Sequence, residues 1–255
     1  MLVDLSSTEV FDRNHIARSQ PLAYASIVKS QAPVGGLLPD QDSLSASLQA
    51  AGIGSNSWVI AYDQSGGAAA SRLIWTLHAF GFDRCSLLNG GLQAWAKAGF
   101  ATDDQPAAAA TAPEQPAKLN LQRSNVVNSD ELLQKINLGE ELLIIDARSE
   151  KEYLGLDKRS ERAGRIPEAQ WQEWTDLHKS SSDQQLLDDA MLEKKFADIS
   201  LSSRDDKRSI VVYCQTHQRS SLTYVVLKHL GFNNVLGLEG AWSAWGNRND
   251  TPVES

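Results

Sequence analysis

The residues best suited to chemistry lie between 213 and 221, in the run Tyr-Cys-Gln-Thr-His-Gln-Arg-Ser-Ser. Cys214 follows the apolar stretch Ile210-Val211-Val212-Tyr213 and precedes a helical pattern from Ser220 to Leu230, so it stands where a buried strand gives way to a helix. A strand-to-helix loop gathers successive backbone N–H groups around one concave space, an anion nest. The helix that follows adds the positive end of its dipole. Arg219 is permanently cationic, and His217 is a second nearby donor. All three effects favour thiolate over thiol, and the thiolate is the nucleophilic form. Cys214 is therefore the candidate nucleophile, with Gln215, Thr216, His217, Gln218, Arg219 and Ser220 as the loop that binds its substrate. The competing reading is a core cysteine at a strand end, which the polar residues around Cys214 disfavour.

The elements that must position this loop are written twice. Gly81-Phe82, an apolar run and Asn89-Gly90-Gly91-Leu92-Gln93-Ala94-Trp95 are answered by Gly231-Phe232, a second apolar run and Glu239-Gly240-Ala241-Trp242-Ser243-Ala244-Trp245, 150 residues later. His15-Ile16 and Arg165-Ile166 keep the same offset, Tyr62-Asp63-Gln64 answers Tyr213-Cys214-Gln215 at 151, and Val3-Asp4 answers Ile145-Asp146 at 142. A fixed order at a near-constant offset marks a tandem duplication. Between the copies, Asp103 to Lys118 is rich in Pro, Ala and Gln, which reads as a tether. The expected domains are 1–103, a linker over 104–118, and 119–255.

In the second copy, Asn128 with Glu131 three residues on predicts a capped helix through about Asn137. Leu142 to Ile145, Ile210 to Tyr213 and Val235 to Leu238 are short apolar runs of the kind found in strands buried on both faces. The helix from Ser220 should stop at Gly231, and Gly240 to Gly246 should open a further helical turn. The first copy repeats this with strands at Trp58 to Ala61 and Cys85 to Leu88 and a helix from Ser71 to Phe80. Strands alternating with helices predict an α/β fold, each domain a mainly parallel sheet with helices on both faces. Val3-Asp4 falls almost at the start, so the first copy is expected either to lack the opening helix of the second or to begin late.

Two internal controls sharpen the assignment. Cys85, the only other cysteine, aligns with Val235 and reads as a small buried hydrophobe. Asp63 holds the nucleophile's position in the first copy, where a carboxylate cannot accept sulfur and would repel an anionic substrate. Only the second domain is expected to be active. Two cysteines exclude a disulfide framework and a multi-cysteine metal site, and make the reducing cytoplasm the default compartment. Lys plus Arg total 24 against 32 Asp plus Glu, a formal charge of −8, which argues against nucleic acid and anionic membrane surfaces. No apolar run approaches the roughly 20 residues that span a bilayer. The first residues show no secretory leader.

These motifs resemble the two-domain rhodaneses, the thiosulfate sulfurtransferases, over nearly the whole chain. The resemblance is carried by Ile145-Asp146-Ala147-Arg148 with Glu152-Tyr153, by Ala163 to Ala169, by the loop Cys214 to Ser220 and by the repeated Gly-Gly-x-x-x-Trp stretch. CQTHQRS is similar to the CQTHHRS variant of bacterial rhodaneses, with Gln218 in place of the second His, and Glu168 replaces the usual Gly after Ile-Pro. The family's inactive first domain has Asp where Asp63 stands. The resemblance implies two tandem rhodanese-like domains and a Cys214 persulfide loaded from thiosulfate and unloaded by a thiophilic acceptor such as cyanide. It also implies Trp174 at the pocket mouth, with core packing as the competing reading, while Asp146 and Arg148, at a strand end, read as braces of the loop or the domain. Arg219 is left between contacting substrate and bonding loop carbonyls, and His217 between shaping the loop and moving a proton. No cofactor or metal, small-molecule partners only and a monomer are expected. Alternatives are a 3-mercaptopyruvate sulfurtransferase, whose loop form CG[ST]GVT is absent here, and a cysteine phosphatase or arsenate reductase. Cysteine phosphatases use C-x5-R, one residue longer than the C-x4-R from Cys214 to Arg219.

Overall fold

The computed structural model describes residues 1–255. In the first half the elements run β1 (Leu2–Asp4), α1 (Thr8–Arg13), β2 (His15–Ile16), β3 (Gln20–Pro21), β4 (Lys29–Gln31), β5 (Val34–Leu37), α2 (Gln41–Ala50), β6 (Val59–Tyr62), α3 (Ala68–Ala79), β7 (Cys85–Leu87), α4 (Gly91–Lys97) and β8 (Thr102–Asp103). The second half contributes β9 (Val126–Val127), α5 (Ser129–Asn137), β10 (Leu142–Asp146), α6 (Glu150–Tyr153), β11 (Gln170–Trp171), β12 (His178–Ser180), β13 (Asp183–Leu186), α7 (Asp189–Ala197), β14 (Ser209–Tyr213), α8 (Arg219–His229), β15 (Val235–Leu238) and α9 (Ala241–Trp245). No helix is long and apolar enough to cross a membrane.

Two compact units form, and neither is contiguous in sequence. Unit 1 comprises Met1–Lys29, Leu38–Gln122 and His178–Leu186; unit 2 comprises Ser30–Leu37, Arg123–Leu177 and Leu187–Ser255. Each therefore includes a two-stranded segment from the other half of the sequence, β12–β13 in unit 1 and nearly all of β4–β5 in unit 2. The Pro-rich stretch after Asp103 is irregular. It is anchored to unit 1 by Ser55 N–H to Gln115 O at 3.1 Å and Asn120 N–H to Phe80 O at 2.8 Å.

The apolar runs make the expected parallel sheets. Unit 1 has the strand order β3-β1-β6-β7 and unit 2 the order β11-β10-β14-β15-β9, all neighbours parallel. Parallel neighbours need crossovers, and the flanking helices supply them. The duplication is visible at the level of single bonds: Ile16 N–H donates to the Tyr62 hydroxyl at 3.0 Å, and Ile166 N–H to the Tyr213 hydroxyl at 3.2 Å. In unit 2 the core gathers Ile144, Val211, Tyr213, Leu238, Trp242 and Trp245 between sheet and helices.

Local signals behave as their chemistry requires. Asn128 and Glu131 form a reciprocal capping box at the start of α5. Gly231 follows α8 at φ 90°, a left-handed stop. Glu168 occupies the turn after Ile166-Pro167 at φ 62°, the conformation for which glycine is favoured. The turn is kept despite its side chain, at a cost on the order of 1–2 kcal/mol. Two expectations need correction. Trp58 precedes its strand and is 59% exposed. Cys85 is half-buried rather than buried, because β7 is an edge strand, whereas its counterpart β15 is covered by β9 and leaves Val235 fully buried.

Candidate active site

Cys214 sits at the C-terminal end of β14, beside β10, the strand from which the sheet runs outward in both directions. Crevices at such switch points are where open parallel sheets bind ligands. The residue is 1% exposed and forms the floor of a loop that ends at Arg219, the first residue of α8. Two loop carbonyls are drawn away from the sulfur: Cys214 O accepts from Trp242 N–H at 3.0 Å, and Gln215 O from Ser243 N–H at 2.8 Å. In a planar trans peptide the N–H lies opposite the carbonyl, and the Thr216 N–H, opposite the held Gln215 carbonyl, bonds Cys214.

Burial opposes ionisation of the thiol, and on its own would raise its pKa. The Arg219 charge, the Ser220 hydroxyl and the backbone N–H groups of Ser220 and Thr216 outweigh it, and Cys214 lies below the ordinary thiol value. Cys85 shows the contrast: burial and the nearby Asp83 push it up to about 12. His217 adopts φ 57°, and its Nδ1 lies 2.8 Å from Ser220 Oγ. Ser220 has one hydroxyl proton. When that proton is given to the thiolate, Nδ1 of His217 must carry the hydrogen in their mutual bond. His217 is thus placed to orient Ser220.

Arg219 is itself held. Its guanidinium makes two bonds to Glu152, at 2.7 and 2.9 Å, and Glu152 is 1% exposed. Burial would raise the Glu152 carboxyl, but Arg219 and Ser149 overcome that and lower it to about 2. The half-exposed Arg159 lies 3.6 Å from the same carboxylate, and its carbonyl accepts from the Gln215 side chain at 3.1 Å. Glu152 and Arg159 were not singled out as site residues from sequence. Ser149 and Glu152 form a capping box at the start of α6, and the Glu152 carboxylate also bonds a residue 67 positions on, a contact that no local pattern announces.

Asp146 and Arg148 form a buried ion pair under the loop. The Tyr213 hydroxyl donates to Asp146 at 2.6 Å, and the Arg148 guanidinium lies 4.5 Å from the centre of the Trp242 ring. Trp174 is half-buried in a 3-10 turn over Trp174–Leu177 that packs against α8.

In unit 1 the equivalent loop is filled by its own carboxylate. Asp63 Oδ1 accepts from the N–H groups of Ser65 and Gly67, and Oδ2 from those of Ala69 and Ala70, at 2.8–3.0 Å. Gly66 takes φ 80° where His217 takes 57°, and the Gly66 carbonyl lies 2.9 Å from Nε2 of His178. The nest survives, occupied internally. Asp63→Ala strips an acceptor from four N–H groups at once, and should destabilise unit 1 by about 3 kcal/mol in urea denaturation. Sulfur transfer per folded molecule should stay unchanged.

Comparison with known proteins agrees with this architecture. The family model for the rhodanese-like domain matches residues 1–98 and 128–248. The chain belongs to the rhodanese-like domain family, with one copy in each half of the sequence. Thiosulfate sulfurtransferase of Azotobacter vinelandii is 35% identical over 257 residues, covering 100% of this chain and 90% of the relative. The enzyme of that name from Pseudomonas aeruginosa is 34% identical with the same coverage. Among solved structures, Tum1 protein from Saccharomyces cerevisiae shares the fold at a TM-score of 0.83 and 19% identity, over 96% of this chain and 87% of its own. A persulfide form of EanB with ergothioneine does so at 0.87 and 21%, over 100% and 64%.

Proposed function

We propose that this protein is a thiosulfate sulfurtransferase working through a persulfide on Cys214. The observation that carries the reading is the sulfur's setting. Cys214 is ringed by the N–H groups of Thr216 and Ser220, the Ser220 hydroxyl and the Arg219 cation. The Cys214 thiolate attacks the outer sulfur of thiosulfate, a new S–S bond forms, and sulfite leaves with the electron pair of the bond that breaks. The anion then on the enzyme, Cys–S–S⁻, occupies the same N–H nest, which stabilises it as an oxyanion hole stabilises oxygen. A thiophilic acceptor such as cyanide attacks the terminal sulfur, leaves as thiocyanate and returns the thiolate.

Gln215 and Gln218 shape the loop, Thr216 and Ser220 donate to sulfur, and His217 orients Ser220. Arg219 holds the thiolate, Arg159 draws the anionic donor from outside, and Trp174 lines the wall. The inactive domain is read over 1–103 and the catalytic one over 119–255. The protein is read as a cytoplasmic monomer with small-molecule partners.

The test is intact mass after incubation with thiosulfate. A gain of one sulfur atom that cyanide removes is expected, with ping-pong initial rates. Because the folded thiol is lowered, loading should rise with pH and reach its plateau below the ordinary thiol value of about 8.5. Loading by 3-mercaptopyruvate but not thiosulfate would reassign the donor. No adduct, or phosphate-ester hydrolysis in its place, would overturn the reading.

A further inference from the structure

We propose that Gly36, at the end of the β4–β5 segment, is a positioning residue for the cysteine loop, holding the Thr216 carbonyl outward so that the His217 N–H faces the sulfur. The argument begins with the two carbonyls already described. Those of Cys214 and Gln215 are held by backbone N–H groups of α9. The third in the series, Thr216 O, lies against Gly36: a methyl carbon placed there would sit 2.0 Å from that oxygen and 2.7 Å from its carbon. No real side chain tolerates either distance. The obstacle is backbone, so a substitution must displace the loop, the hairpin or both.

The hairpin is in turn fixed to the helix that holds the loop. Ser243 Oγ accepts from Gly35 N–H at 3.0 Å and lies 3.1 Å from Gly35 O and 2.7 Å from Gly240 O, while Ser243 N–H donates to Gln215. One serine therefore ties Gly35 and Gln215 to the same turn of α9, with Gly36 and Thr216 between them. Three successive peptides of the nest are oriented from outside the loop, two by α9 and one by a segment from the other half of the sequence. That gives the half carrying Asp63 a part in the reaction without chemistry of its own.

This inference rests on Cys214 as the nucleophile, and the readout separates the two. Sulfur loading of the unaltered protein tests the nucleophile; the pH dependence of Cys214 alkylation by iodoacetamide reports on the loop without any sulfur donor. Gly36→Ala should lower kcat by about 100-fold, the effect of removing a comparable anion-stabilising donor, and move the alkylation midpoint up by about one pH unit. Gly139→Ala is the control for backbone cost alone. Gly139 has φ 67°, close to the 71° of Gly36, but nothing lies within 4 Å of its added methyl, and kcat and midpoint should match the unaltered enzyme. Should Gly36→Ala not fold, Ser243→Ala decides. It frees Gly35 without a steric push and should lower kcat about 10-fold, with a smaller upward shift of the same midpoint. Unchanged midpoints in whichever of Gly36→Ala and Ser243→Ala fold, or an equal loss of kcat in Gly139→Ala, would overturn the proposal.

Discussion

Cys214→Ala is expected to abolish sulfur transfer, lowering kcat by at least about 10³-fold and eliminating the mass gain from thiosulfate. The reason is that no other group can take the step. A persulfide needs a sulfur nucleophile, and the chain has only one other cysteine. Cys85 is pushed up to about 12 by burial and Asp83, and it lies on edge strand β7 in unit 1. Its thiol is held in the protonated form around neutral pH, so a modest rise in pH should not rescue the variant. Cys214→Ser is expected to fail equally, because the nest that lowers a thiol cannot bring an alcohol into its ionised range. Cys85→Ala should retain full activity. Mass spectrometry after thiosulfate treatment reads all three variants directly. A sulfur adduct in Cys214→Ala would sink the assignment.

The largest effect on stability is expected at the ion pair beneath the loop. Asp146 and Arg148 are at most 1% exposed. The guanidinium bonds both carboxylate oxygens and, at 2.7 Å, the Gly164 carbonyl, and it faces the rings of Trp242 and Tyr213. A buried pair adds little over a well-packed apolar replacement, but removing one partner leaves a bare charge in the core, which costs about 3–5 kcal/mol. Arg148→Met should therefore destabilise unit 2 by that amount, lowering its Tm by about 10 °C. Removing Asp146 as well, in Asp146→Leu/Arg148→Met, should recover part of the loss, because no charge is then stranded. The exposed pair Arg204–Glu193, 64% and 46% exposed, is the contrast: Arg204→Met should cost under about 1 kcal/mol. Equal losses in Arg148→Met and Arg204→Met would mean that burial does not set the cost.

Much of this site was legible without a structure, for a local reason. A four-residue apolar run rich in β-branched side chains, set between polar stretches, is the pattern of a strand buried on both faces, so Ile210 to Tyr213 reads as a strand ending at Cys214. The polar run after it had to be a loop, and the helical pattern from Ser220 put a helix N-terminus beside the thiol. The duplication paired Asp63 with Cys214, and so marked which copy offers a candidate nucleophile. These inferences use neighbours in sequence, where backbone geometry leaves few options.

Tertiary structure decided everything that depends on which buried faces meet. Hydrophobic pattern says that a face is covered, never by what. Hence Cys85 read as buried until β7 proved to be an edge, while Val235 on the covered β15 fitted its pattern. Glu152 stood out only as part of a family motif, because its grip on Arg219 needs α6 and α8 brought side by side. Gly36 carries no signal of its own in a Val-Gly-Gly-Leu strand; it matters only because the chain places it against the Thr216 carbonyl. The sequence by itself marked Cys214 as the candidate nucleophile and showed the duplication and the strands that aim the loop. The fold alone decided how Arg219 is held and what turns the third peptide of the nest, because both rest on contacts between segments far apart in the chain.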